Sequence, residues 1–218
     1  MKVISSIAPV TAMLALVFSV ARGAADDTHL TASRRVVQGV GGVEGKLQYC
    51  KDCHGLSAQG YYGFLTMPRL AGQKPEYIEN QLRAFAERRR GKGIFLNMAR
   101  IHGLSPGMRT ALAAQFSRLN PPSIGRGPKN LAGTGKTIYD DGMPEANVPA
   151  CSACHGPQAE GEREIPRLAG QLYPYLIRQL ANWNQERQNE SAAIMEPIAH
   201  GLTPSQVTAV AAYLSYLE

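Results

Sequence analysis

A chain of 218 residues, 44% hydrophobic and 18% charged, is long enough for one large domain or two of about 100 residues each. Its 22 glycines and 14 prolines predict frequent turns and argue against long strands or very long helices. The net charge of +6 comes without the aromatic interleaving of a nucleic-acid surface, so no nucleic-acid partner is expected.

In chain order, the first 25 residues stand apart. Lys2 precedes an apolar stretch from Ile4 to Val20, then Gly23-Ala24-Ala25 and the acidic pair Asp26-Asp27. This is the pattern of a secretory signal peptide, with cleavage expected after Ala25 and Gly23 as the second choice; a retained membrane anchor is the alternative. Next comes CKDCHG, Cys50 to Gly55, and then PRLAGQ, Pro68 to Gln73. Ile78, Leu82 and Phe85 fall on one face of a predicted helix. The basic run Arg88-Arg89-Arg90 with Lys92 follows, then Met98, His102 and a second helix carrying Met108, Leu112, Phe116 and Leu119.

Residues 120–130, NPPSIGRGPKN, combine prolines and glycines without an apolar run and are expected to be a linker. Beyond it, Gly133 to Thr137 spell GTGKT. Asn130 stands where a phosphate-binding loop would have its first Gly, so nucleotide binding is not expected. CSACHG then appears at Cys151 to Gly156, and PRLAGQ again at Pro166 to Gln171. Leu176, Ile177, Leu180 and Trp183 repeat the helical face. Thr203, Pro204 and Gln206 open a terminal helix as a capping box, with Val207, Val210, Ala211, Leu214 and Leu217 along it.

The chain is therefore a duplication. Tyr77, Gln81 and Leu82 recur as Tyr175, Gln179 and Leu180, and His102-Gly103-Leu104 recurs as His200-Gly201-Leu202. The offset is 101 residues at the cysteines and 98 from PRLAGQ onward, which places three extra residues in the first half near Tyr61 to Thr66. The expected fold class is all-α, in two tandem domains: signal peptide 1–25, first domain 26–119, linker 120–130 and second domain 131–218.

All four cysteines lie in CxxC pairs, each followed at once by His. Two thiols one helical turn apart can add to the vinyl groups of one porphyrin edge, and the adjacent imidazole then reaches the iron. Two such runs predict two covalently bound haem c groups, through Cys50 and Cys53 with His54, and Cys151 and Cys154 with His155. Zinc would lack an obvious fourth ligand, and a thioredoxin-like site would need a βαβ setting. For the second axial ligand, Met195 precedes Leu202 by seven residues, a loop suited to a thioether approaching opposite His155. Met98 is the candidate in the first half but precedes Leu104 by only six, so His102 or an open site stays as an alternative there. A Pro carbonyl of each PRLAGQ block can accept the Nδ1–H of the axial His. Arg69 and Arg167 can pair with haem propionates or stay solvated, and Leu70 and Leu168 are expected to wall the pockets.

With these residues in place, the chain resembles the two-haem cytochrome c4 family from about residue 40 onward. The resemblance rests on CKDCH, CSACH, the repeated PRLAGQ…Tyr…Gln-Leu segment and a Met loop before a terminal helix. It implies two cytochrome c-like domains about a pseudo-twofold axis, His/Met ligation by His54, Met98, His155 and Met195, and periplasmic electron transfer. It implies redox protein partners, a membrane-bound donor or oxidase, and no soluble small-molecule substrate. A dihaem subunit of a periplasmic dehydrogenase is the second possibility, and an enzyme with one open haem, a peroxidase or sulfur-compound oxidase, the third. Charge adds an asymmetry: residues 26–119 carry +7, the linker +2 and residues 131–218 −5. Arg88 to Arg90 and Lys92 are the expected docking surface of the basic half.

Overall fold

The structure is a computed structural model that describes residues 42–91, 98, 103–186 and 193–218. Residues 1–41, among them the expected signal peptide, and Lys92 and His102 lie outside the described residues. The described residues are helical and carry no named strand; three isolated bridges join short turns. None of their helices is long and apolar enough to cross a membrane.

In the first half, α1 (Val43–His54) ends in CxxCH, α2 (Pro75–Ala86) follows PRLAGQ, and α3 (Pro106–Ser117) closes the unit. In the second, α4 (Ala132–Asp141) precedes the short CxxCH helix α5 (Ser152–His155). Then come α6 (Tyr173–Ala181), α7 (Trp183–Glu186), α8 (Met195–Gly201) and α9 (Pro204–Tyr216). The last helix starts as expected: the Thr203 side chain accepts from Gln206 N, and the Gln206 side chain accepts from Thr203 N. Ser105 caps α3 in the same way, accepting from Met108 N. Each cap satisfies an amide that the helix start would leave unpaired.

Two cores form. Leu47, Ala71, Ile78, Leu112, Ala113 and Phe116 pack together in the first half; Ile138, Tyr139, Leu176, Val210, Ala211 and Leu214 do so in the second. α2 packs on α3, and α6 on α9, as the sequence repeat requires. In the second half α4 also lies along α9, crossing it at Gly135, where a Cβ would collide with the Ala209 carbonyl. GTGKT is thus the first turns of a packed helix, its Lys136 paired with Asp140 one turn on. The path into the cysteines differs between the halves: where α1 runs unbroken into its cysteines, α4 stops at Gly142 (φ +72°), and a short 3-10 turn at Pro144–Ala146 intervenes before α5.

The three extra residues lie where the offset places them. The bridge Tyr61 to Met67 encloses five residues, whereas its counterpart Glu162 to Ile165 encloses two.

The segment 120–130 is not a free tether. Arg69 of the first half donates to the carbonyls of Pro121 and Pro122 at 2.8 and 3.3 Å. From the second half, Glu218 accepts from the amide and hydroxyl of Ser123, and the Tyr216 hydroxyl donates to the Gly127 carbonyl.

Candidate haem-binding sites

Each CxxCH run occupies a last helical turn that must stop abruptly. Gly55 and Gly156 end these turns at φ +89° and +83°; a Cβ at Gly55 would stand 2.7 Å from the Gly60 carbonyl. The chain then folds back so that Gly60 N donates to His54 O, and Gly161 N to His155 O, both at 2.8 Å. Ala58 and Ala159, at φ +56° and +57°, each offer a carbonyl to two successive amides of PRLAGQ, Leu70 and Ala71 in one half and Leu168 and Ala169 in the other. This frame brings PRLAGQ beside the histidine.

The outcome is the same in both halves. His54 and His155 are buried, at 5% and 6% exposure. Their Nδ1 atoms lie 2.8 Å from the Pro68 carbonyl and 2.9 Å from the Pro166 carbonyl. A carbonyl can only accept, so Nδ1 carries the proton and Nε2 keeps its lone pair, the form of imidazole that binds a metal. Burial pushes the His155 pKa down, opposed by its bond to the Pro166 carbonyl, and so favours that neutral form.

No disulfide joins the four cysteines; Cys53 and Cys154 are exposed, Cys50 and Cys151 half-buried. Burial pushes the Cys50 and Cys151 thiols up to about 11. A redox-active dithiol needs a lowered pKa, so these cysteines do not suit thiol–disulfide exchange. Nor do the described residues hold any cluster of three or more His, Cys, Asp or Glu that would suit a zinc ion. Two thiols and one neutral imidazole on a single turn, with the imidazole fixed by a backbone carbonyl, is a donor set that fits a covalently held haem.

Of the candidate second ligands, Met195 is the first residue of α8 and half-buried, and Met98 is likewise half-buried. His200, the repeat partner of His102, is exposed. Met108 and Met143 pack against the two cores and are structural.

Two charged groups behave differently from expectation. Arg69, 3% exposed, is not solvated: its guanidinium donates to the carbonyls of Ala71, Pro121 and Pro122. The reason is geometric, since three carbonyls at a chain crossing match the guanidinium fork. The basic run is also split. Arg88 is exposed and Arg89 pairs with Glu87, but Arg90 turns into the seam between the halves.

That seam holds the polar residues that sequence patterns left without a role. Gln171 accepts from Arg69 N at 2.8 Å and donates to Arg69 O at 3.0 Å. Gln73 does the same to Arg167, at 2.7 and 2.9 Å. Each half thus pairs with the backbone of the other through the last residue of its own PRLAGQ. The only signal for this in the sequence was the exact repetition of a buried-polar residue.

The family model for cytochrome c matches residues 132–218. A cytochrome c-552 of Acidithiobacillus ferridurans is 38% identical over 172 residues, covering 77% of this chain and 73% of that protein. The thiosulfate dehydrogenase electron acceptor of Stutzerimonas stutzeri strain A1501 is 34% identical, with 95% and 93% covered. The solved structure of Acidithiobacillus ferrooxidans cytochrome c4 superposes with a TM-score of 0.66 at 35% identity, covering 77% of this chain and 98% of that one. With its duplicated frame and two CxxCH turns, the chain belongs to the cytochrome c4 family of electron-transfer proteins with two covalently bound haem c groups.

Proposed function

We propose that this protein is a periplasmic electron carrier whose donor is a dehydrogenase of the thiosulfate-oxidising class, with His54 and Met98 ligating the iron of the first haem and His155 and Met195 that of the second. The domains span 26–119 and 131–218, and the segment 1–25 directs export. The observation that carries the reading is the pair of buried histidines, each with Nδ1 committed to a proline carbonyl at 2.8 or 2.9 Å, at the same step of a repeated frame.

Haem iron, when bound, supplies one-electron cycling between Fe(III) and Fe(II). The protein's part is to keep that change small in structural terms. The carbonyls of Pro68 and Pro166 hold the imidazole planes, and the paired thiols fix each macrocycle at two points. Met98 and Met195 would hold the iron through their thioethers, and such ligation would raise its potential. Two such ligand pairs would leave the iron no open position for a substrate, the arrangement a carrier needs. The donor class is supported by the similarity to a protein named as an electron acceptor of thiosulfate dehydrogenase.

The test mixes the oxidised dihaem protein with thiosulfate and a thiosulfate dehydrogenase in a stopped-flow spectrometer. Both haems are expected to reduce, and the oxidised protein is expected to show the weak long-wavelength band of Met-ligated Fe(III). Met98→Ala and Met195→Ala are each expected to remove about half of that band and lower one midpoint potential. Dithionite reducing both haems while the enzyme and thiosulfate reduce neither would overturn the donor; a band unchanged in Met98→Ala would overturn that ligand.

A further inference from the structure

Exposed apolar side chains gather around the CxxCH turn of the first half. Among the described residues six large hydrophobics are exposed, and four of them, Tyr49, Leu56, Tyr61 and Phe64, lie within ten residues of His54. Phe64 is fully exposed, at 103%, and Leu56 is 78% exposed. Single exposed hydrophobics are ordinary, but a group of them marks a contact surface. From Gly55 to Pro68 the chain carries no charge. The matching stretch of the second half, Gly156 to Pro166, holds Glu160, Glu162, Arg163 and Glu164. At the offset of 101, Tyr49, Leu56 and Tyr61 are replaced by Ala150, Pro157 and Glu162.

The loop that carries Phe64 is ordered from its base upward. Tyr61 N donates to Met67 O and Met67 N to Tyr61 O, both at 3.0 Å. Gly60, the residue before that base, donates its amide to His54 O at 2.8 Å, so the loop departs directly beside the CxxCH turn. The Tyr61 ring lies against Gly63, where a Cβ would stand 2.6 Å from Tyr61 Cε1. The half-buried Tyr62 carries the exposed Arg126, whose guanidinium carbon is 4.6 Å from the ring centroid. The three extra residues of the first half thus form an apolar projection with a cation at its foot. A projection ordered in advance loses little conformational entropy on contact.

We propose that the loop Tyr61–Met67 is the docking element through which the donor dehydrogenase reaches the first haem. Phe64 enters an apolar recess of the enzyme, and Arg126 meets an acidic residue at its rim. The place of the loop favours a redox protein over a lipid surface: it stands beside the CxxCH turn, where an electron has to cross. The half that bears it carries +7, which suits an acidic contact face. One electron passes from the enzyme's redox centre to Fe(III) of the first haem, giving Fe(II), with no bond made or broken. The inference rests on the donor class proposed above.

The holoprotein and the variants Phe64→Ala, Phe64→Leu, Arg126→Gln and Glu164→Ala, each shown by mass to hold two haems, are compared with a thiosulfate dehydrogenase as the probe. Calorimetry gives the Kd and the heat-capacity change of the complex, and stopped-flow mixing with thiosulfate gives the rate of haem reduction. Phe64→Ala is expected to raise Kd and lower the second-order rate about tenfold, at low and high salt alike, because the lost contact is apolar. Its heat-capacity change becomes less negative, as less apolar area is covered. Phe64→Leu keeps most of the affinity, Arg126→Gln slows reduction at low salt only, and Glu164→Ala, on the second half's loop, matches wild type at high salt. Dithionite reduces all of them alike. Phe64→Ala equal to wild type, with the enzyme reducing both, would overturn the docking loop and leave the donor standing. A wild type that the enzyme neither binds nor reduces would overturn the donor class, and the loop's assignment with it. Wild-type protein that pellets with phosphatidylglycerol vesicles, or dimerises in ultracentrifugation, while Phe64→Ala does neither and keeps its rate, would give the loop to lipid or to a second copy instead.

Discussion

Gln171→Ala is the sharpest test of how the two halves are joined. The side-chain amide of Gln171 serves three backbone groups: its Oε1 accepts from Arg69 N and Leu172 N, and its Nε2 donates to Arg69 O. Arg69 and Leu172 are 3% and 1% exposed, so their amides and carbonyl have no access to bulk water. Each buried group left unpaired costs about 1–3 kcal/mol. Water entering the space of the lost amide recovers part of this, which puts the net loss at about 3 kcal/mol. With a urea slope of about 2 kcal/mol per molar, the unfolding midpoint falls by about 1.5 M. Gln73→Ala removes the matching contacts to Arg167 and Lys74, but these are only partly buried, so its loss should be smaller. The assay is urea unfolding followed by far-ultraviolet dichroism and haem absorbance together. In the double variant the single transition is expected to separate into two, one for each half. A change below about 0.5 kcal/mol for Gln171→Ala, or equal costs for the two glutamines, would refute the claim that buried backbone groups hold the seam.

The remaining predictions follow from close contacts and from charge. Gly135→Ala places a methyl against the Ala209 carbonyl, so α4 and α9 must part; a loss of about 1–3 kcal/mol in urea unfolding is expected, with haem attachment retained. Glu218 has its pKa pulled below the usual 4.5 by hydrogen bonds from the Ser123 hydroxyl and amide. A depressed carboxyl contributes stability above its unfolded pKa and loses it as pH falls through the folded value. Amide hydrogen exchange at Ser123 is therefore expected to speed up, beyond its intrinsic pH trend, below about pH 4.5 and not above it, and Glu218→Gln should abolish that step.

Much of this fold was legible because its signals are local. CxxCH, the PRLAGQ blocks, the Thr203 and Gln206 capping box and the three-residue loop difference are each set by neighbours in the chain, and the structure places them as the patterns require. The break between α4 and α5 is also written locally, in Gly142, Pro144 and Pro149, although no helix ahead of the cysteines was read from the sequence. The partners across the seam were not legible. Gln73 meets Arg167 across 94 residues, and Arg90 meets Tyr175 across 85. Nothing in a periodic pattern says which faces of two similar units will touch. The burial of Arg69 was not legible for a related reason: arginine is expected at the surface, and only the crossing of residues 121 and 122 over it supplies the carbonyls that make burial tolerable.

The seam also explains how a duplicated protein can have two unequal halves without losing its joint. The Gln73 and Gln171 bonds are made to backbone amides and carbonyls, which every residue offers. Side chains elsewhere can therefore change in one half while the pairing persists. The differences accumulate where that freedom exists: a neutral Gln188 against Arg90, a divided first helix, a shorter loop, and a net −5 against +7. A carrier gains from such differences, because two identical haems would give an electron no preferred resting site. Backbone pairing holds the halves together and side-chain charge distinguishes them; the two requirements fall on different atoms and so do not compete.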